Sequence, residues 1–302
     1  MKDQAARLRE MAYQVRQQIE NELRQQNRHA RVIAISSGKG GVGKSTLALN
    51  LALNLSSQGK KVLLLDADMG MANLDIMLGI VPKYNLFHLI QGKKNLDDII
   101  IAGPQGVSII PGGSGIQEMA DLPAEDIKRL LAELGRLDYY YDYMLLDTGA
   151  GISQNVTTFL LAADDAIIVT SPEPTALTNA YGVLKSMHRS SYTGGIYLVV
   201  NRANDDSEGI FVGEKLKMVA QKYLDLEVVN LGYIINDSAV MEGIRRQQPF
   251  VEIYPHSRAA RNIAHIARHL LESSGDILLT GTQEIRPNGV RNFFRRIVNS
   301  LK

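Results

Sequence analysis

From residue 31 onward, short runs of consecutive apolar residues alternate with longer segments in which apolar residues recur three and four positions apart. The runs at 31–36, 61–66, 107–110, 143–147, 166–170, 196–201 and 229–235 read as strands. Residues 44–58, 124–137, 175–189 and 257–273 carry the helical spacing. A strand apolar at every position is covered on both faces, and the intervening helices supply the cover. The pattern predicts one doubly wound α/β domain over 31–275, a mostly parallel sheet with helices on both faces.

Both ends of the chain depart from this pattern. Residues 1–30 are polar and charged, with Leu8, Met11, Val15, Ile19 and Leu23 forming a narrow stripe that suits a helix docking on something. Residues 276–289, bounded by glycine and ending in Pro287-Asn288-Gly289, read as a linker. Residues 290–302 place Val290, Phe293, Phe294, Ile297, Val298 and Leu301 on one helical face, with Arg291, Arg295, Arg296 and Lys302 off it. A short basic amphipathic helix on a linker fits an anionic membrane surface. Folding back on its own domain and docking on another protein are the alternatives.

Composition narrows the chemistry. The 302 residues contain no cysteine, which excludes disulfides, thiolate metal sites, iron–sulfur clusters and cysteine catalysis. No run of 18 apolar residues occurs and no secretory signal is visible, so a cytoplasmic chain is expected. The formal net charge is +1, yet residues 286–302 hold five cations and no acid. The remainder is therefore mildly acidic, which argues against a broad nucleic-acid face.

The most specific chemical signal is Gly38-Lys39-Gly40-Gly41-Val42-Gly43-Lys44-Ser45-Thr46, between the first strand and the first helix. It completes the phosphate-loop frame: glycines let backbone N–H groups crowd around a polyphosphate, Lys44 reaches the β/γ-phosphates and Ser45 holds Mg²⁺. Ligands of such sheets bind beyond the carboxyl ends of the strands. Acids stand there: Asp66 and Asp68 after the second strand run, and Asp147 at the end of the fourth. A carboxylate opposite the loop is where Mg²⁺ needs an outer partner.

Lys39 is a lysine that an ordinary nucleotide loop does not need. The Lys-Gly-Gly-Val-Gly-Lys-Ser-Thr string resembles the deviant Walker motif of the MinD/ParA/nitrogenase-iron-protein ATPases. That resemblance implies an ATPase that dimerises around ATP and Mg²⁺, with Lys39 crossing to the partner's phosphates. Asp66-Ala-Asp68-Met-Gly-Met-Ala-Asn73-Leu-Asp75 is similar to the family's first switch. The match implies that Asp68 orients the attacking water and that Asp66 supports the metal through water. Asp147-Thr148-Gly149-Ala150-Gly151 matches the second switch, with Gly149 where the family usually has proline. The resemblance also implies adenine recognition by Asn201, more weakly by Arg202.

The thirty residues before the first strand begin Lys2-Asp3-Gln4-Ala5-Ala6-Arg7-Leu8-Arg9. This start resembles the flagellar-number regulators of the FlhG type, also called YlxH or FleN. There the segment contacts and activates the signal-recognition-type GTPase FlhF. By that match Asp3, Gln4, Leu8 and Arg9 are partner-activating residues. The implied protein is a homodimer with ATP, reversibly bound to the inner face of the cell membrane and linked to flagellar switch-complex proteins. A division-site MinD is the alternative within the class; a DNA-binding positioning ATPase is the alternative from another class. The pair His265 and His269 has metal-capable spacing but no third ligand, and reads as surface. The tyrosines of 139–143 read as packing.

Overall fold

The computed structural model describes residues 29–68, 73–112, 118–119, 122–277 and 288–301. Its strands are β1 (Arg31–Ser37), β2 (Val62–Ala67), β3 (Ile101–Ala102), β4 (Ser108–Ile110), β5 (Tyr143–Ala150), β6 (Asp165–Thr170), β7 (Gly195–Ala203) and β8 (Val229–Ile235). The helices are α1 (Lys44–Ser57), α2 (Leu74–Leu78), α3 (Leu86–Ile90), α4 (Leu96–Ile99), α5 (Ala124–Gly135), α6 (Leu137–Tyr140) and α7 (Gln154–Ala162). They continue with α8 (Pro174–Arg189), α9 (Asp206–Leu224), α10 (Ser238–Arg246), α11 (Phe250–Ile253), α12 (Arg258–Ile277) and α13 (Val290–Leu301). A 3₁₀ turn, Pro104–Gly106, joins β3 to β4.

One sheet runs in the order β3-β4-β2-β5-β1-β6-β7-β8. All pairs are parallel except β3–β4, a two-residue antiparallel edge too short to leave a pattern in the sequence. Because β1, β2, β5 and β6 are buried at nearly every position, two cores form. One face carries α5, α7, α8, α9 and α13 with Leu134, Phe159 and Leu184. The other carries α1 and α12 with Leu49, Leu53 and Ile263. Parallel pairing puts every loop after β1, β2, β5, β6 and β7 at one edge, which assembles the site.

The C-terminal helix folds back on its own domain, one of the alternatives the sequence leaves open: Val290, Phe293, Phe294, Ile297 and Val298 are each 0–4 % exposed. They lie against α5, α6, α7 and β1. A six-position apolar stripe finds the same partner a membrane would offer, namely a dry surface, within its own domain. Two buried acids fix its start. Asp138 accepts from Val290 N (2.8 Å) and Arg291 N (3.3 Å), capping the helix from a remote position. Asp164 accepts from Gly289 N (3.2 Å) and from Arg296 Nη2 (2.9 Å). Gly289 has φ +106°, and a Cβ there would meet Asp138 Oδ1 at 2.6 Å, so glycine is required. Burial pushes the Asp164 carboxyl up from its ordinary range, while Val32 N–H and Arg296 pull it back.

Smaller differences follow from packing. The 124–137 helix ends at Gly135 and restarts as α6. Tyr143 opens β5 in the core, whereas Tyr139 and Tyr140 are exposed, so the tyrosine cluster is only partly packing. α12 extends to Ile277, past the expected linker boundary. Among the described residues no helix is long and apolar enough to cross a membrane.

At the amino-terminal end of the sheet, Arg31 Nε donates to Asp165 Oδ2, Arg31 Nη2 donates to Tyr197 Oη (3.2 Å), and Asp165 Oδ1 accepts from Gly195 N (3.1 Å). Burial opposes the Arg31 charge, but the Asp165 contacts outweigh it and hold its pKa above the ordinary value. Removing one partner of a buried pair strands the other. Asp165→Ala should therefore lower unfolding free energy by about 3 kcal/mol, measured as the shift in urea unfolding; a change below a few tenths would show that Arg31 finds water instead.

Candidate functional site

The site is built by register. Ile35 in β1 and Asp66 in β2 are both register partners of Asp147 in β5, so the phosphate loop starts at Gly38, three residues beyond a line of two acids. Gly38 packs so tightly on α8 that a Cβ would lie 2.2 Å from the Asn179 carbonyl carbon. Gly43 has φ +92° and is the N-cap of α1, where any side chain would strike Asn201. These two glycines press the loop against the body of the domain. The first-turn amides of α1 then face outward with the helix's partial positive charge, an anion site in its own right.

Lys44 is buried, and its Nζ donates to Asp147 Oδ1 at 2.7 Å. Asp147 is fully buried; burial pushes its carboxyl up, and Lys44 and the Ser45 hydroxyl pull it back. Its second oxygen, Oδ2, is buried with no hydrogen-bond partner. That orphaned oxygen beside Ser45 fits Mg²⁺: one more acceptor is needed where a metal-bound water would donate. Ser45 and, through water, Asp147 would hold the ion, which when bound would supply positive charge beside the phosphates.

Asp66 has a local task as well. Its oxygens accept from Asp68 N (3.1 Å), Asn73 N (3.2 Å) and Leu74 N (3.5 Å), shaping the segment that carries Asp68. Burial, then repulsion from Asp147, pushes the Asp66 pKa up to about 7. Asp68 lies close to the second switch, its Oδ1 3.8 Å from where a Gly149 Cβ would be. Gly151 has φ +91° and donates its N–H to Ser37 O at 2.7 Å, tying that switch to the loop. A cavity of about 220 Å³ opens beside Asp66 on the β4 side, lined by Asp75, Lys83, Tyr84, His88 and Pro111.

Lys39 points away from its own loop. Its Nζ donates to Glu173 Oε2 (2.5 Å) and Thr175 Oγ1 (3.2 Å), and its side chain is 39 % exposed. Glu173 was missed in the sequence, although it stands just after a strand end, at the start of α8, where functional residues were expected. The Lys39 contact lowers its pKa. Asn201 is bonded within its own domain. Its Nδ2 donates to Val42 O (2.7 Å) and its Oδ1 accepts from Arg202 N (2.9 Å). It buttresses the phosphate loop, and Arg202, with φ +60°, is the exposed residue beside it. His265 is exposed, and His269 Nδ1 is 3.3 Å from Leu231 O, so this pair lies outside the site. Asp3, Gln4, Leu8 and Arg9 fall outside the described residues.

Fold and site together define a phosphate-loop ATPase of the MinD-like class, with ATP and Mg²⁺ as cofactors. The AAA domain family matches residues 30–192. The antiactivator FleN of Pseudomonas aeruginosa is 36% identical, over 78% of this chain and 85% of its own. The flagellum site-determining protein YlxH of Helicobacter pylori is also 36% identical, over 90% and 91% of the two chains. The septum site-determining protein MinD of Pyrococcus horikoshii, solved with Mg-ADP, superposes with a TM-score of 0.66 at 28% identity, covering 82% of this chain and 98% of that one. The chain belongs to this ATPase family, among the relatives of FleN and YlxH.

The raised Asp66 pKa predicts a pH-dependent metal site. Above about pH 7 its carboxylate is ionised and favours the cation; below, the raised pKa keeps it protonated and that support is lost. Mg²⁺ affinity of the ADP complex, measured by calorimetry, should fall roughly tenfold between pH 8 and pH 6 beyond the nucleotide's own titration. Asp66→Asn should flatten that dependence. A wild-type profile equal to free Mg-ADP's would remove Asp66 from the metal's support.

Proposed function

We propose that this protein is an ATP-timed dimeric switch that binds the membrane and regulates flagellar number or placement, acting with an FlhF-type GTPase. The observation that carries the reading is Lys39. A lysine in a phosphate loop that is held by Glu173 and Thr175 with its side chain 39 % exposed is within reach of a second copy. The reading of flagellar control rests on the likeness to FleN and YlxH and on the opening Asp3-Gln4 motif. In the switch, ATP closes the dimer with Lys39 on the partner's phosphates. Asp68 orients the water, and hydrolysis reopens it.

Membrane attachment by α13 requires the helix to leave its groove, because its apolar face cannot serve both surfaces. Arg291 and Arg295 stay exposed when the face is docked and supply the first attraction to anionic lipid. One short helix attaches marginally; two joined in a dimer gain an avidity of roughly 10²–10⁴ if both engage.

Lys44→Ala should abolish ATP-dependent dimerisation in light scattering and sedimentation with anionic vesicles. Asp68→Ala should bind ATP, hydrolyse slowly, and accumulate as vesicle-bound dimer. Arg291→Glu/Arg295→Glu should dimerise normally but lose the vesicles, since both residues are exposed and only the Arg291 stem touches the domain, at Gly135. An Asp68→Ala protein that stays monomeric with ATP would sink the dimer reading.

A peptide of residues 1–23 should accelerate GTP hydrolysis by an FlhF-type GTPase, with Gln4 positioning the attacking water as a glutamine does in other GTPases. The Gln4→Ala peptide should lose most of that acceleration. An unchanged GTP turnover at saturating peptide would refute the flagellar partner.

A further inference from the structure

We propose that the groove under α13 is also the docking site of residues 8–23 of the same chain, so that the amino-terminal segment and the carboxy-terminal helix exchange for one surface. The inference rests on the proposed undocking of α13 and adds what covers the groove afterwards.

Three observations meet here. First, both ends of the chain reach the same carboxylate: Asp138 Oδ1 accepts from Ala30 N (3.1 Å) and from Val290 N (2.8 Å). The segment before Ala30 therefore starts where α13 starts, and no long tether is needed to bring it to the groove. Second, the vacated groove would be costly in water. It takes up five apolar side chains of α13 that are 0–4 % exposed, in one core cluster with Leu130, Leu134, Leu137 and Phe159. At about 25 cal/mol per Å² of apolar surface, a bare groove of this kind opposes helix release unless something replaces the helix. Third, the sequence before Ala30 has the replacement pattern. Leu8, Met11, Val15, Ile19 and Leu23 recur three and four apart, as do the groove-facing residues of α13. As a helix, residues 8–23 would span roughly 24 Å, against roughly 18 Å for the twelve residues of α13. Residues 24–29, extended at about 3.3 Å each, suffice for the turn back.

Charge agrees with the exchange. When α13 leaves, Arg296 leaves with it, and the buried Asp164 loses its ion pair. Arg9 and Arg16, seven positions apart on one flank of the stripe, offer a guanidinium in return. The exchange makes the state of residues 1–28 a control on α13. A partner that grips those residues removes the competitor and returns α13 to its groove; a free segment favours its release.

Hydrogen exchange of the full-length protein, without lipid or partner, tests this directly. Phe294→Asp forces α13 out, and amides of residues 8–23 should then exchange about tenfold more slowly than in the wild type. Adding Leu8→Glu and Val15→Glu should abolish that protection. ATP binding by each variant shows that the domain is folded. Should Phe294→Asp fail to bind ATP, Arg296→Ala weakens the helix through Asp164 alone, and it should speed exchange of 290–301 while slowing exchange of 8–23. Unchanged exchange of 8–23 in whichever variant is folded, with 290–301 released, overturns the proposal. Because no vesicle and no GTPase enters the experiment, failure here leaves the membrane and flagellar readings standing, and failure of those shows itself separately, as vesicles left unbound or GTP turnover unchanged.

Discussion

A buried lysine and a buried aspartate 2.7 Å apart set the terms for everything at the carboxyl edge of the sheet. Neither charge tolerates an apolar surrounding alone, so each is present because the other is. The pair exists only because β5 lies between β2 and β1, which places Asp147 directly under the loop that carries Lys44. A nucleotide's phosphates offer Lys44 a stronger anion, and a metal offers Asp147 a stronger cation. Binding therefore substitutes one set of charges for another in a site already paid for in desolvation. The orphaned Asp147 Oδ2 marks where that substitution is still incomplete.

The same edge explains why the switches respond to what occupies the loop. Asp66 holds the backbone of the Asp68 segment through three N–H groups while being repelled by Asp147. Gly151 is tied to Ser37 at the root of the loop. Any change of charge at Asp147 is thus felt by both switch segments through contacts one or two residues long. α7 follows the second switch after Ser153, whose hydroxyl caps it, and α7 is one wall of the groove that holds α13.

The sheet and the phosphate loop were legible because both are written locally. Apolar runs such as Val62–Leu65 announce buried parallel strands, and the loop frame needs only consecutive residues. Asp66, Asp68 and Asp147 lie at or just past the ends of β2 and β5, where the strand-end rule expects them. It pointed equally to Glu173, whose contact with Lys39 depends on α8 meeting the loop from a strand more than a hundred residues away. Asn201 shows the opposite limit. Its position beside the loop was readable, but its bonds to Val42 and Arg202 are set by the tight Gly43 turn, which spacing does not report. β3 escaped because two residues carry no period. The α13 stripe was read correctly as an amphipathic helix, yet periodicity identifies a dry face without naming its partner.

What decided between partners was a pair of acids far from the helix in sequence. Asp138 and Asp164 sit at the amino-terminal ends of the strands, opposite the nucleotide, and each holds both β1 and the start of α13: Asp138 through Ala30 and Val290, Asp164 through Val32 and Gly289. Backbone N–H groups are obligatory donors, and five of them, that of Arg291 included, are satisfied here by two carboxylates. An isolated apolar stripe would leave the helix free to slide or turn; directed hydrogen bonds at its first turn fix its register in the groove. The apolar face adds contact along the helix from Val290 to Val298, while the directed bonds sit at its first turn and at the Arg296–Asp164 pair.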